Sequence, residues 1–151
     1  MNVDRLEDRT AIEQQMFVYA RATDWLETEN HRLVFAEECV FASPHSGDIH
    51  GIDEVVPWMN RALEQFEATQ HLIGNISITF TGEDSADAIS YVRAWHRFRD
   101  ESRPDMTLWG EYHDRWERLD GTWRIRERRV KEAGIEPRRP GGVPNPRRAK
   151  G

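Results

Sequence analysis

The sequence has 151 residues, is 38% hydrophobic and carries a formal net charge of −6. This length suits one domain with a single core, and the negative charge argues against a general nucleic-acid binder. Cys39 is the only cysteine, so no intrachain disulfide can form and a disulfide-stapled secreted fold is excluded.

The first 25 residues predict an amphipathic helix. Apolar residues recur every three or four positions from Leu6 to Ala22, and we expect a helix over 2–25 that ends at about Asp24. Asp4 followed by Glu7 resembles a capping box. Because the N-terminus is charged and the chain has no run of ~20 apolar residues, we expect no signal peptide, no membrane span and a cytoplasmic protein.

Residues 28–63 predict two further helices around a short strand. We expect Thr28 to cap a helix over 29–36, followed by a strand at 39–42 and an exposed loop at 43–51. Asp53 is the expected cap of the third helix. Pro57 then falls in the first turn of that helix, where its missing N–H costs little.

From His71 onward the apolar period changes from 3.6 to 2 residues. Turn residues at 82–84, 103–105 and 120–121 separate expected strands at 71–81, 86–99, 106–118 and 122–132. Three helices followed by long, twisted strands joined by short turns predict an α+β fold with a curved antiparallel-rich sheet. We expect this fold to form one domain over residues 1–133.

The remaining residues, 134–151, are a tail rich in proline, glycine and arginine. The tail holds four Pro and four Gly and cannot form a regular element alone, so we expect it to be disordered or wrapped over a neighbouring subunit. Lys and Arg are concentrated between residues 124 and 150. This pattern favours a solvated or self-docking end over an RNA site.

Asp24, His71 and His96 are the candidate catalytic residues. Asp24 lies at a helix end and His71 opens a strand, while His96 shares one strand face with the small residues Val92 and Ala94 and so points into open space. An imidazole held by a carboxylate has a fixed tautomer and raised basicity, so it can remove a proton near neutral pH. For each histidine the alternative is a structural role, either as a core side chain bonded to a backbone carbonyl or as an exposed side chain at the rim.

A further set of residues is predicted to contact a substrate: Tyr19, Trp58, Val92, Ala94, Tyr112 and Arg128. The two tyrosines are expected to hydrogen-bond a substrate oxygen, with a core aromatic role as the alternative. Arg128 and Arg129 face opposite sides of the last strand, so one is expected to point inward and to bind an anion or stabilise a leaving oxyanion. The alternative is a surface ion pair with one of Glu111, Glu117 and Glu127.

Other chemistries are poorly supported. The six histidines show no metal-binding spacing and the chain has no cysteine pair, so we expect no dedicated zinc site. There is no G-x-S-x-G, no phosphate loop and no G-x-G-x-x-G, which argues against the usual hydrolase, kinase and dinucleotide-binding functions. What remains is cofactor-free proton chemistry on a small molecule, or no chemistry.

Short motifs spread along the chain carry a family resemblance: Asp4-Arg5-Leu6, Arg9-x-x-Ile12, Thr69-Gln70-His71, Gly110-x-Tyr112-x-Asp114 and Asp120-Gly121-x-Trp123-Arg124-Ile125. Together with the order of elements, they resemble the SnoaL-like branch of the nuclear transport factor 2 superfamily. The resemblance covers nearly the whole chain, to about Lys131. It implies a cone-shaped curved sheet packed against the helices.

Within that branch the sequence is most similar to lyases of the scytalone dehydratase type, which use an Asp–His dyad and no cofactor. The resemblance places Asp24 and His71 at the dyad and His96 at a second pocket histidine. Arg128 matches a pocket arginine of the related dehydrochlorinases. Because the usual assembly of these lyases is a homotrimer, the resemblance implies a homo-oligomer, with a trimer favoured and a dimer as the alternative.

The chain also departs from the scytalone dehydratase pattern. Thr23 stands where that enzyme has a tyrosine, and Gly110 and Tyr112 fall opposite its pocket serine and asparagine. The resemblance therefore implies a different substrate even where the dyad is kept.

The sequence thus predicts a dehydratase-type lyase that removes a proton and eliminates water from a small apolar cyclic or polyketide-like substrate. An isomerase or cyclase with the same dyad is one alternative. A non-catalytic subunit, like the small subunits of ring-hydroxylating dioxygenases, is another, because the family contains both. We expect a small-molecule substrate, no cofactor and neither a nucleic-acid nor a membrane partner.

Overall fold

The computed structural model describes residues 5–138 and contains two α-helices, one 3₁₀ helix and six strands over that range. The helices are α1 (Leu6–Asp24), the 3₁₀ helix (Thr28–Leu33) and α2 (Ile52–Leu63). The strands are β1 (Phe35–Ser43), β2 (Gly47–His50), β3 (Phe66–Phe80), β4 (Ser85–Phe98), β5 (Met106–Leu119) and β6 (Thr122–Glu136). None of the helices in residues 5–138 is both long enough and apolar enough to cross a membrane.

The six strands form one mixed sheet in the order β2-β1-β6-β5-β4-β3. The four long strands make an antiparallel meander, and β1 joins it by pairing in parallel with β6. The three helices pack against this sheet, with α1 lying against β3 and β6. The predicted α+β fold is confirmed.

The second predicted helix is shorter than expected. It is a 3₁₀ helix that ends at Leu33, because Phe35 and Ala36 already belong to β1. Both side chains are buried, and the Ile125 amide of β6 donates to the Val34 carbonyl oxygen at 2.8 Å. Pairing with β6 therefore overrides the local helical pattern of the segment.

Two details before α2 also differ from the sequence prediction. Residues 43–51 contain β2, which pairs with β1, instead of being loop throughout. The N-cap of α2 is Gly51, whose φ of +81° suits a residue without a Cβ. Asp53 lies in the first helical turn and forms an ion pair with Arg32 at 2.6 Å.

The bounds of α1, β3 and β6 bear on three further predictions. Asp4 lies outside the described residues, and Arg5 at the start of α1 makes no side-chain cap hydrogen bond. β3 begins at Phe66, before the predicted residue 71, and β6 continues to Glu136, beyond the predicted residue 132. The tail predicted from Gly134 thus begins inside β6, and residues 139–151 lie outside the described residues.

The core lies between the helices and one face of the sheet. Every second residue of β4 from Ala86 to Phe98 is buried, as the period of two predicts. From α1, Ile12 and Met16 pack fully buried against this face, and burial of each contributes about 2 kcal/mol. Because Ala88, Ser90 and Ala94 are small, the face leaves space beside His96.

Candidate active site

Asp24 and His71 meet at the end of α1. His71 lies on the edge strand β3, and its Nδ1 is 2.7 Å from Asp24 Oδ1. The second carboxylate oxygen accepts a hydrogen bond from the His71 backbone amide at 2.9 Å, and Thr69 Oγ1 donates to Oδ1 at 2.9 Å. The carboxylate therefore holds both the ring and the backbone of His71, and it satisfies an amide that the edge strand leaves unpaired.

These hydrogen bonds set the charge and the tautomer of the dyad. Burial acts to raise the pKa of the Asp24 carboxyl, but the hydrogen bonds and charge of His71, with help from Thr69, outweigh it and lower the pKa below its ordinary value. Asp24 is thus ionised at neutral pH and accepts the Nδ1 proton of His71. This leaves the Nε2 lone pair of His71 free to act as a base.

His96 lies beside the dyad. Its side chain is buried on the inward face of β4, and its ring centroid is 5.8 Å from that of His71 in an edge-to-face arrangement. Burial, together with the charge of His71, lowers the pKa of His96 to about 4. His96 is therefore neutral at physiological pH, and its ring also forms hydrogen bonds with the backbone at Met106 and Ala94.

A cavity of about 330 Å³ opens beside both histidines. Its wall is mostly apolar and is made by α1, the loop after β1, α2 and the long strands. Of the residues predicted to contact substrate, four line the cavity: Tyr19, Trp58, Ala94 and Tyr112. Val92 and Arg128 are not among its lining residues, since Val92 packs into the core and Arg128 lies behind the tyrosines.

Arg128 points inward but is already paired. Its Nε and Nη2 donate to the two carboxylate oxygens of Asp114 at 2.8 and 2.7 Å, and both side chains are fully buried. The guanidinium lies over the rings of Tyr19 and Tyr112, at 4.2 and 4.0 Å from their centroids. The partner of Arg128 is therefore Asp114, and neither a substrate anion nor one of the surface glutamates. The guanidinium packs against the rings of Tyr19 and Tyr112 and supports them.

Asp114 was missed as a partner although a signal was present. It follows Gly110 and Tyr112 at two-residue spacing on β5, which puts all three on one face. The strand register places Asp114 directly beside Arg128. The pairing of an inward carboxylate with an inward arginine depends on this register. The alternation of residues along each strand does not determine the register.

His31 and Thr23 form a second buried pair that sequence reasoning did not identify. His31 Nε2 lies 3.0 Å from Thr23 Oγ1, and Nδ1 lies 2.8 Å from the Thr28 carbonyl oxygen. Burial lowers the pKa of His31 to about 4, so the ring is neutral and its Nδ1–H donates to Thr28. Since Thr23 precedes Asp24, this pair anchors the helix end that carries the dyad.

The described residues offer little for a metal ion or a reactive thiol. Within residues 5–138, no three His, Cys, Asp or Glu side chains are grouped so that they could hold a metal ion. Cys39 is buried, and this burial raises the pKa of its thiol to about 11. The thiol is therefore protonated and a poor nucleophile at neutral pH.

The chain matches one protein family and is similar to several solved structures. The SnoaL-like domain family matches residues 4–129. The crystal structure of a candidate scytalone dehydratase from Novosphingobium aromaticivorans is 29% identical, with a TM-score of 0.88 over 99% of this chain and 100% of that one. None of the curated proteins matches the chain significantly.

Two more distant structures share the fold. Hexachlorocyclohexane dehydrochlorinase LinA-type3 from Novosphingobium barchaimii is 18% identical, with a TM-score of 0.81 over 95% of this chain and 99% of that one. A candidate aromatic ring hydroxylase from N. aromaticivorans is 22% identical, with a TM-score of 0.78 over 84% of this chain and 90% of that one. All these chains have nearly the same extent as this domain.

Proposed function

The chain belongs to the SnoaL-like domain family, and on that premise we propose that it is a cofactor-independent lyase that eliminates water from a small cyclic substrate. Family membership supports an enzyme that converts a small molecule. The name of the 29% identical neighbour supports the dehydratase class. The finer assignment depends on the dyad and the cavity.

One observation carries the proposal. His71 lines the cavity, and its Nδ1 is held at 2.7 Å by the ionised Asp24. An imidazole whose Nδ1 is held by a carboxylate can act as a general base through its second nitrogen, which is available to substrate. The cavity is large enough for one or two fused rings and is walled mainly by aromatic and aliphatic side chains.

In the proposed reaction, His71 Nε2 removes a proton from a carbon next to a carbonyl group. The electrons of the broken C–H bond form a C=C bond, and the C–O bond to a hydroxyl on the neighbouring carbon breaks. His96 lines the cavity beside His71 and is proposed to contact the departing oxygen. The His71 imidazolium is then the group with a proton to give, and its transfer releases water and restores the base.

Tyr19 and Tyr112 are proposed to receive the substrate carbonyl. Both line the cavity, and the buried guanidinium of Arg128 lies against both rings. Burial, together with a hydrogen bond to Tyr19, raises the pKa of Tyr112 well above its ordinary value, so its hydroxyl keeps its proton and the hydrogen-bonded tyrosine pair can donate to an oxygen. Such a donor stabilises the enolate that forms as the proton leaves carbon.

Substitution of the dyad tests the proposal. 3-Hydroxy-1-tetralone is a suitable probe, because loss of water converts it to 1-naphthol, which is detected by fluorescence and by mass. His71→Asn and Asp24→Asn should each lower its turnover by about 10²–10⁴-fold, the usual contribution of a general base. Deuterium at carbon 2 should slow the wild-type reaction, because the C–H bond breaks in the step that His71 catalyses.

His113→Asn is the matched control, since His113 also pairs with a carboxylate, Glu111, at 2.7 Å but does not line this cavity. It should keep wild-type turnover. Unchanged turnover in both dyad variants would rule the mechanism out. A product of unchanged mass would favour the isomerase or cyclase alternative, and absence of turnover on all cyclic hydroxy ketones would favour a non-catalytic binding protein.

From the resemblance to Asp–His lyases whose usual assembly is a homotrimer, we also propose a homo-oligomer, with a trimer favoured over a dimer. Light scattering coupled to size-exclusion chromatography measures this directly. A monomeric mass at micromolar concentration would contradict it.

A further inference from the structure

The cavity that holds the dyad carries a cation at its rim. Arg103, in the turn between β4 and β5, lines the cavity, and its guanidinium carbon lies 3.5 Å from the centroid of the Phe98 ring. Within residues 5–138, no carboxylate forms a salt bridge with this guanidinium and no side-chain hydrogen bond engages it. Its charge acts on the nearby Asp100, whose carboxylate already accepts hydrogen bonds from Ser102.

The rest of the cavity wall lacks negative charge. The whole chain has a formal net charge of −6, yet no aspartate or glutamate from residues 5–138 lines the cavity. His45, also at the rim, is held at 3.0 Å by Glu132, and His96 is neutral. An anion that enters this cavity therefore meets a cation that makes no salt bridge among residues 5–138, and no lining carboxylate.

The rings between the dyad and Arg103 set the length of a ligand that reaches both. The His96 and Phe66 centroids are 4.6 Å apart, and those of Phe66 and Phe98 are 4.9 Å apart. His71 on β3 pairs with Ala94 on β4, and Phe98 lies four residues after Ala94 on the same face of β4. The backbone positions of Ala94 and Phe98 are therefore about 13 Å apart. With a contact distance of about 3 Å at each end, this backbone separation corresponds to a ligand roughly 7 Å long, the length of two fused rings.

We propose that Arg103 is a specificity residue that binds a carboxylate on the substrate, so that the substrate class is a bicyclic carboxylic acid. The ring system lies along Phe66 and Phe98, with the carboxylate at the rim. The reacting end of such a substrate reaches His71. This inference rests on the proposed function for the chemistry at His71, but the contact between Arg103 and the carboxylate needs no turnover.

A binding experiment tests the proposal independently of catalysis. Isothermal titration calorimetry of the full chain with 2-naphthoate and with its neutral analogue 2-naphthamide compares two ligands of the same size. The acid should bind about fivefold more tightly at low salt, as expected of a partly exposed charge pair, and added salt should reduce the difference.

Variants at Arg103 separate charge from packing. Arg103→Gln should abolish the preference for the acid, and Arg103→Lys should keep part of it. The matched control is Arg97→Gln. Arg97 lies next to Phe98 near the end of β4, but it is paired with Asp105 and does not line the cavity. Since Arg103 is exposed, its variants should unfold at the wild-type temperature, which circular dichroism measures.

Equal affinity of wild type for the acid and the amide, or a preference that survives in Arg103→Gln, would overturn the proposal. Failure of both ligands to bind at millimolar concentration would also overturn it. Acid-selective binding without turnover of any cyclic hydroxy ketone would support the Arg103 site while contradicting the proposed elimination. Elimination of water without a binding preference for the acid would support the proposed elimination while contradicting the Arg103 site.

Discussion

At the scale of single residues, the Arg128–Asp114 pair is the interaction most sensitive to substitution. Both side chains are fully buried and joined by two hydrogen bonds. Removing one partner leaves a buried charge without compensation, which typically costs about 3–5 kcal/mol. Asp114→Ala should therefore lower the free energy of unfolding by about that amount, as measured by urea denaturation.

The double variant Asp114→Leu with Arg128→Met is the control for this prediction. It removes both charges and keeps apolar volume, so it should be more stable than Asp114→Ala alone. If the single and double variants were equally stable, the ion pair would not be the cause of the loss.

The candidate residues differ in how far the sequence could place them. The structure brings Asp24, His71 and His96 together; the sequence had put Asp24 at a helix end, His71 at the start of a strand and His96 on an inward strand face. The partner of Arg128 was not predictable, because one residue of register decides which side chain it meets. His31 gave no signal, since one histidine in a polar segment is compatible with either burial or exposure.

At the scale of elements, the pairing of β5 with β6 depends on Gly110. The register of the two strands shifts between Trp109 and Gly110. A Cβ at Gly110 would lie 2.5 Å from the Lys131 carbonyl oxygen, a backbone atom that cannot move aside alone. Gly110→Ala should destabilise the protein by about 1–3 kcal/mol through this overlap.

Gly134→Ala is the matched control for this strand pair. Gly134 lies on β6 opposite Trp109, and a Cβ there meets no atom within 4 Å. Thermal unfolding should give a wild-type midpoint for this variant and a lower one for Gly110→Ala. Equal midpoints would show that the close approach of the strands is relieved at no cost.

The elements with one regular period were the most predictable. The alternation in β4 and β5 predicted long strands, and their ends were correct to within a few residues because turn residues mark them. The end of the helix predicted over 29–36 was wrong, since its helical pattern is local whereas the pairing of Phe35 with β6 joins residues about 90 positions apart. The parallel pairing of β1 with β6 has no signal within either strand.

At the scale of the whole molecule, two buried neutral histidines make the stability of the fold depend on pH. Burial lowers the pKa of both His31 and His96 to about 4, against an ordinary value of 6.5. The unfolded chain therefore binds more protons than the folded chain between about pH 4 and 6.5. Stability should fall as the pH is lowered through this window, by about 1.4 kcal/mol per pH unit for each histidine.

Urea denaturation between pH 7 and pH 4.5 measures this slope. His96→Leu and His31→Leu should each reduce it by about half, whatever their effect on stability at pH 7, because each removes one of two titrating groups. The exposed His50 provides the control variant His50→Gln. A wild-type slope in both leucine variants would mean that the acid instability in this window arises from other groups. Asp24 does not account for it, since its lowered pKa places its own contribution below about pH 4.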